Sequence, residues 1–411
     1  MKKLFLLCLI LLPVKLLAQE DLSQGIWKEI VQEEIKTNQA QAKFFDPSFS
    51  GNFVTDLNYD RNYQSDNSNH RYNDALLKGI FASKLQINQN FSVKSLLRLE
   101  ELSKYNSNFA ASAFGGNAIS SSGNNRFFQN EALRAEEITA NYNNKNITIL
   151  AGKFTPNFGT NWQWGRGIWS NNLSYNYKPT QKVGAGLSYK LGSRKKTGQY
   201  NFGFATFTND RTALNNSLIN QTAPYNRVNN AGDAAGLGQS YNGSLDVLFD
   251  FAEGEKLSYH FSYINLGVNS NASTVTPSKV ADQKGYAAAM NYRYPISDNF
   301  LLDGLLEYVR IKNLSGNSDV GEQYSSASLV GEIYRNWNIT AATTNLAHQQ
   351  LNYNGFDQNL SEISLGYKFD KTNFFDQLLL QVGYKSFRTN YKTSIETNSG
   401  IGALLRYSKA F

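Results

Sequence analysis

Residues 401–411 read Ile-Gly-Ala-Leu-Leu-Arg-Tyr-Ser-Lys-Ala-Phe. Ile401, Ala403, Leu405, Tyr407 and Phe411 fall on one face of an extended chain. Gly402, Leu404, Arg406, Ser408 and Ala410 fall on the other. Period two of this kind is a strand, because successive side chains leave opposite sides of a pleated backbone. One side is largely apolar, the other more polar, and the stretch ends on an aromatic.

The same period runs back to Pro47. Val183, Ala185, Leu187 and Tyr189 alternate with Gly184, Gly186, Ser188 and Lys190. Leu257, Tyr259, Phe261 and Tyr263 alternate with Ser258, His260, Ser262 and Ile264. Ile363, Leu365, Tyr367 and Phe369 alternate with Glu362, Ser364, Gly366 and Lys368. About sixteen such segments follow one another, near 48–59, 75–88, 91–101, 132–142, 146–154, 180–191, 199–208, 240–252, 255–267, 285–294, 300–311, 323–334, 337–349, 358–369, 375–388 and 397–411. Tight turns at 89–90, 143–145, 252–256, 295–299 and 335–336 alternate with long Asn/Ser/Gly-rich stretches at 60–74, 102–131, 155–179, 209–239 and 268–284. Short turns on one rim and long loops on the other are the plan of an outer-membrane barrel. The expected fold class is all-β: a transmembrane antiparallel β-barrel over 47–411. A bilayer offers no water to an open sheet edge, so the sheet must close. A ring of about sixteen strands is too wide for side chains to fill and leaves an aqueous channel. An even strand number puts both barrel ends on one rim, expected to be periplasmic.

The first residues agree with an envelope protein. Lys2 and Lys3 precede an apolar core from Leu4 to Val14, and Ala18 precedes Gln19. This reads as a signal peptide over 1–18. Beyond it no apolar run approaches the roughly 18 residues a helical span needs, so any crossing is made by strands. Cys8, the one cysteine, lies within the signal segment. The mature chain is thus expected to have no disulfide and no thiolate metal site. Tyr (24) and Phe (26) are abundant while Pro (7) and Met (2) are scarce, which suits strands facing lipid on one side and water on the other. Three lysines, Lys2, Lys3 and Lys15, leave with the signal and take the formal charge from +7 to +4. That charge is too mild and dispersed for nucleic acid. Within a leader spanning 19–46, Ile26, Ile30, Val31 and Ile35 recur at helical spacing and predict a short periplasmic helix.

Two stretches carry family resemblances. The ending at Tyr407 and Phe411 resembles the C-terminal sorting strand of outer-membrane barrels, which implies handling by the barrel-assembly machinery. Residues 133–169 read LRAEEITANYNNKNITILAGKFTPNFGTNWQWGRGIW. The phrase Gly152, Lys153, Phe154, Pro156, Phe158 and Gly159, with Asn157 as an extra residue, resembles the porin O and P (phosphate-selective porin) family of Gram-negative bacteria. The close match covers about forty residues. The resemblance implies a sixteen-stranded, trimeric porin in outer-membrane lipid, whose third long loop folds inward and narrows the pore. Here that loop is 155–179, with Trp162, Trp164, Arg166 and Trp169. Arg166 among tryptophans either presents a cation at the constriction or pairs with a carboxylate, and the tryptophans either line the pore or pack the loop to the wall. The alternation places Lys78, Lys84, Lys94, Arg98, Arg134, Lys190, Lys368, Lys385 and Arg406 on the lumen side, with Glu100, Glu136, Asp246, Asp250, Glu307 and Glu362. The basic ladder on which the family's phosphate selectivity rests does not align here, so the expectation is passive diffusion of small hydrophilic solutes with mild anion preference. A structural or secretion-associated barrel without conductance is the alternative.

Little points to an enzyme or a cofactor. Histidine occurs at 70, 260 and 348 only, with no His-Glu-x-x-His phrase. A Ser-His lipid hydrolase built on His260 is a minor alternative. Glu136 and Glu137, being adjacent, are expected on opposite faces of their strand, which argues against a shared acid/base site. The polar run from Asp60 to Asn69 reads as a solvated loop, with a calcium site the less favoured reading.

Overall fold

The computed structural model describes residues 47–101, 125–128, 131–215, 217–219, 238–251, 254–268, 280–334, 336–351, 355–369 and 377–411. The expected signal peptide and leader helix, and much of the long loops after residues 101, 219 and 268, lie outside the described residues.

Among the described residues, sixteen strands form the wall. They are β1 Ser48–Ser65, β2 Tyr72–Gln86, β3 Phe91–Glu101, β4 Glu131–Asn143, β5 Ile147–Phe154, β6 Lys182–Ser193, β7 Gly198–Asn209 and β8 Ser240–Asp250. They continue as β9 Lys256–Leu266, β10 Gln283–Ser297, β11 Phe300–Lys312, β12 Val320–Ile333, β13 Trp337–Gln350, β14 Phe356–Lys368, β15 Leu378–Tyr391 and β16 Ile395–Ala410. Each pairs antiparallel with its sequence neighbours, and β1 pairs antiparallel with β16 from Asn52↔Ala410 to Ser65↔Asn398. The sheet is therefore a closed barrel, and every wall strand has two partners. A two-residue segment, Arg126–Phe127, adds parallel pairing to the upper end of β2.

Burial is inverted relative to a soluble protein, and this identifies the solvent on each side. Phe204, Ile363 and Leu306 are more than half exposed, whereas His260 and Glu136 are almost fully buried. Each exposed aliphatic or aromatic side chain would forgo roughly 1.5–3 kcal/mol if it faced water. Such a surface belongs in hydrocarbon, and closure satisfies the backbone there. Tyrosines mark the upper boundary of this belt: Tyr241, Tyr263 and Tyr286 form a ring chain near the long-connection rim, at 6.0 and 5.2 Å. Trp337, Tyr367 and Phe369 form another near the short-turn rim, at 4.8 and 5.1 Å. Both ends of the barrel chain lie on that short-turn rim, where Asn52 faces Ala410.

Two expectations shift. β1 continues to Ser65 and β2 begins at Tyr72, so the expected loop at 60–74 shrinks to 66–71, and Asp60 is a strand residue. Strand pairing on both sides, through Asp60↔Gly402 and Asp60↔Asp74, outweighs its polar composition. Glu136 and Glu137 do not take opposite faces. Leu96 pairs with Glu137 while Leu97 pairs with Ala135, so Glu136 is the extra residue of a β-bulge. The bulge resets the alternation and turns both carboxylates to the inside.

Candidate functional site

The segment after β5 folds into the barrel instead of over its rim. Its apolar residues have the lumen wall as their core: Phe158, Trp169, Leu173 and Tyr177 are buried with Val309 and Ile311 of β11, Tyr324 of β12, Leu346 of β13, Leu360 of β14 and Phe387 of β15. Four residues, Asn161–Trp164, make one helical turn, and Leu173–Tyr177 a 3₁₀ turn.

Electrostatics sets the loop's path. Residues 155–179 contain no Asp or Glu. Among the described residues, seven wall carboxylates receive the loop's polar groups. Glu137 of β4 accepts the Thr155 amide at 3.2 Å. Asp246 of β8 accepts Asn157 Nδ2 at 3.0 Å. Glu307 of β11 accepts the backbone amides of Thr160 and Asn161, the Thr160 hydroxyl at 2.8 Å and the Tyr177 phenol. Asp303 of β11 pairs with Arg166 at 2.7 Å. Glu362 of β14 accepts the amides of Ile168 and Trp169 at 3.0 and 2.6 Å. Asp60 of β1 accepts the Trp169 indole N–H at 3.2 Å. Glu136 of β4 pairs with Lys178. The contacts run from β4 through β8, β11 and β14 to β1 and back to β4, so the loop makes a circuit of the inner wall. Charge-assisted bonds to backbone N–H are the strong kind, and each wall carboxylate leaves water for fixed donors.

The loop's own groups are tuned by this packing. Burial, reinforced by the charge of Glu307, pushes the Tyr177 phenol well above its ordinary value and keeps it a donor. Burial pushes the Lys178 ammonium down to about 8, against the opposing pull of Glu136. The Lys178 Nζ also stands 4.6 Å from the Trp162 ring centre.

Trp169 shows how the wall was shaped to receive the loop. Its ring lies over Gly402 of β16 and Gly383 of β15, where an added Cβ would meet it at 2.4 and 3.1 Å. Lys385 Nζ sits 5.0 Å from the ring centre and also pairs with Asp60. Gly167, with φ +94°, turns the chain so closely over Glu362 that a Cβ would lie 1.7 Å from Oε1.

The sequence-predicted residues fall as follows. Arg98 and Lys178 share Glu136, Arg134 pairs with Glu100, and Arg406 makes a two-point contact with Asp56 at 2.7 and 2.7 Å. Arg166 pairs with Asp303. Lys153 bonds Asp210 and the Leu214 carbonyl, in the segment after β7. Phe154 packs edge-on against Phe207 at 6.2 Å, Phe158 is fully buried, and the Gly159 amide donates to Ser262 Oγ at 3.3 Å. The Trp162 indole N–H donates to the Phe158 carbonyl at 3.0 Å. Trp164 and Arg166 flank a small cavity with Arg194, Asp250 and Lys256. The sequence named Glu137 only as the outward neighbour expected of Glu136, and did not single out Asp303. The absence of acid from 155–179, set against acids on the lumen face, was the available signal.

No protein-family model and no curated protein sequence matches this chain. Among solved structures it is similar to the outer membrane channel DcaP of Acinetobacter baumannii, at 14% identity, covering 89% of this chain and 97% of that one, with a TM-score of 0.50. It also aligns with a loop L8 deletion mutant of OmpT, an outer membrane protein of Vibrio cholerae, at 12% identity over 89% and 100% of the two chains, TM-score 0.48. OccK8 of Pseudomonas aeruginosa aligns at 11% identity over 89% and 98%, TM-score 0.46. At such identity the likeness to DcaP is one of fold alone, that of a closed antiparallel β-barrel.

Proposed function

We propose that this protein is an outer-membrane porin that admits small hydrophilic solutes by passive diffusion, with residues 155–179 as its constriction. The observation that carries the reading is the acid-free loop held around the lumen by seven wall carboxylates. A barrel of sixteen strands is wide enough for water, and a loop fixed at so many points sets a constant aperture. The Gly152 to Gly159 phrase leads straight into that loop, which favours kinship with the porin O and P family. A homotrimer in Gram-negative outer-membrane lipid, with the short-turn rim in the periplasm, completes the reading. Arg166 and Lys178 are the loop's two cations, and each is matched by a wall carboxylate. With both loop cations neutralised, the selectivity proposed is at most a mild preference for anions.

Single-channel recording in a planar bilayer tests this. A stable conductance, with a small reversal potential of anion-selective sign in a salt gradient, is the expected result. A folded barrel that carries no current would overturn the porin reading in favour of a scaffold.

A further inference from the structure

Three inward residues of β8 and β9 stand in a hydrogen-bonded line that solute diffusion does not require. Asp246 and His260 are cross-strand partners, and Ser262 follows His260 on the same face. His260 Nδ1 is 2.8 Å from Asp246 Oδ1, and His260 Nε2 is 2.9 Å from Ser262 Oγ. A carboxylate only accepts, so Nδ1 carries the imidazole proton and Nε2 is left as the acceptor for the serine hydroxyl. His260 is fully buried, whereas Ser262 is half-buried. Two donors of the inner loop converge here. The Gly159 amide points at Ser262 Oγ at 3.3 Å, and Asn157 Nδ2 reaches Asp246 Oδ2 at 3.0 Å and Ser244 Oγ at 3.2 Å.

We propose that Ser262, His260 and Asp246 form a nucleophilic relay that cleaves small carboxylic esters entering the lumen. The geometry meets the requirements for an activated serine: nucleophile to base, and base to orienting carboxylate, both within hydrogen-bond reach. Ser262 Oγ forms a bond to the ester carbonyl carbon while its proton passes to His260 Nε2. The Gly159 amide, 3.3 Å from Ser262 Oγ, is the loop donor assigned to the carbonyl oxygen that becomes negative once Oγ has attacked. The carbon–oxygen bond to the alcohol then breaks, and the alcohol leaves with the proton from Nε2. Water attacks the acyl-serine, gives a proton to Nε2, and releases the carboxylic acid as Ser262 recovers its hydrogen. Asp246 is a positioning residue that holds the imidazole tautomer. Asn157, bonded to that carboxylate, ties the relay to the loop.

The test uses the full barrel in detergent micelles, treated with a fluorophosphonate and, separately, with p-nitrophenyl butyrate. The expected result is one phosphonyl adduct per chain, mapped to Ser262, and ester turnover that the adduct abolishes. Ser262→Ala and His260→Gln should each lower turnover by about 100-fold or more. Asp246→Asn should lower it too and change its pH profile, which loss of a merely structural contact would not do. Resistance of each unboiled variant to unfolding in SDS shows that the barrel has formed. An unmodified Ser262 in wild-type barrel that conducts ions overturns the relay and leaves the porin reading standing. So does labelling that His260→Gln leaves unchanged.

Discussion

The backbones of Gly51 and Phe411 exchange two hydrogen bonds, Gly51 N–H to the Phe411 carbonyl at 2.9 Å and Phe411 N–H to the Gly51 carbonyl at 3.0 Å. The Phe411 ring stacks on Phe81 at 5.5 Å and tilts against Phe49 at 5.7 Å. A Cβ on Gly51 would lie 2.5 Å from both the Ala82 carbonyl oxygen and the Phe411 ring. This pair thus seals the seam where the first strand meets the last.

Gly51→Val is expected to obstruct that seam and lower the yield of folded barrel. Phe411→Ala should keep the backbone bonds but lose the ring contacts, a cost of about 1–3 kcal/mol for a half-exposed aromatic. Heat-modifiability in SDS gels reports both. Wild-type melting for Gly51→Val would show that the seam relaxes around a side chain.

Glu307→Ala leaves two loop amides, a hydroxyl and a buried phenol without their acceptor. The expected cost is about 2–4 kcal/mol, concentrated in the loop. Single-channel current should rise and become noisier. An unchanged current trace would count against residues 155–179 as the constriction.

Gly167→Val places carbon where the Glu362 carboxylate stands. The amides of Ile168 and Trp169 must leave that carboxylate, and Trp169 must lift from Gly383 and Gly402. Tryptophan emission is expected to shift to the red and aqueous quenchers to gain access. Emission identical to wild type would mean that the loop absorbs the side chain in place.

Lys178 gives the pH dependence, and it lies in the loop, outside the spanning strands. Burial holds its folded value near 8, below the ordinary 10.5 of lysine. Below pH 8 both folded and unfolded chains carry the proton, and the folded state bears the cost of the buried charge. Between about 8 and 10.5 the unfolded chain holds the extra proton, so stability rises with pH across that window. The pore loses a cation over the same step. Reversal potentials should move toward cation preference between pH 7 and 9.5, and Lys178→Met should remove the step. A flat profile in wild type refutes the assignment.

The wall was legible residue by residue. Leu187 and Tyr189 against Ser188 and Lys190, or Ile363 and Leu365 against Glu362 and Ser364, state which side meets lipid and which meets water, because a strand has only two faces. Strand order followed from the alternation of short and long connections. The loop was legible only in outline. Its apolar residues Phe158, Trp169, Leu173 and Tyr177 resemble a wall segment in composition, and partners such as Val309, Tyr324 and Phe387 stand well over 100 positions further along the chain. The same holds for Asp246, His260 and Ser262, whose line depends on the register of two strands.

Composition and period two by themselves determined a sixteen-stranded ring with a greasy outside and a wet inside, since local alternation is all that a strand between two solvents needs. The tertiary structure alone decided which carboxylates hold the loop. The bulge at Glu136 breaks the alternation, and the seven anchors come from five strands that meet only after the ring has closed. Apart from Glu137 with Thr155, 18 residues apart, those contacts are long-range and electrostatic, and no short window of sequence contains both of their ends.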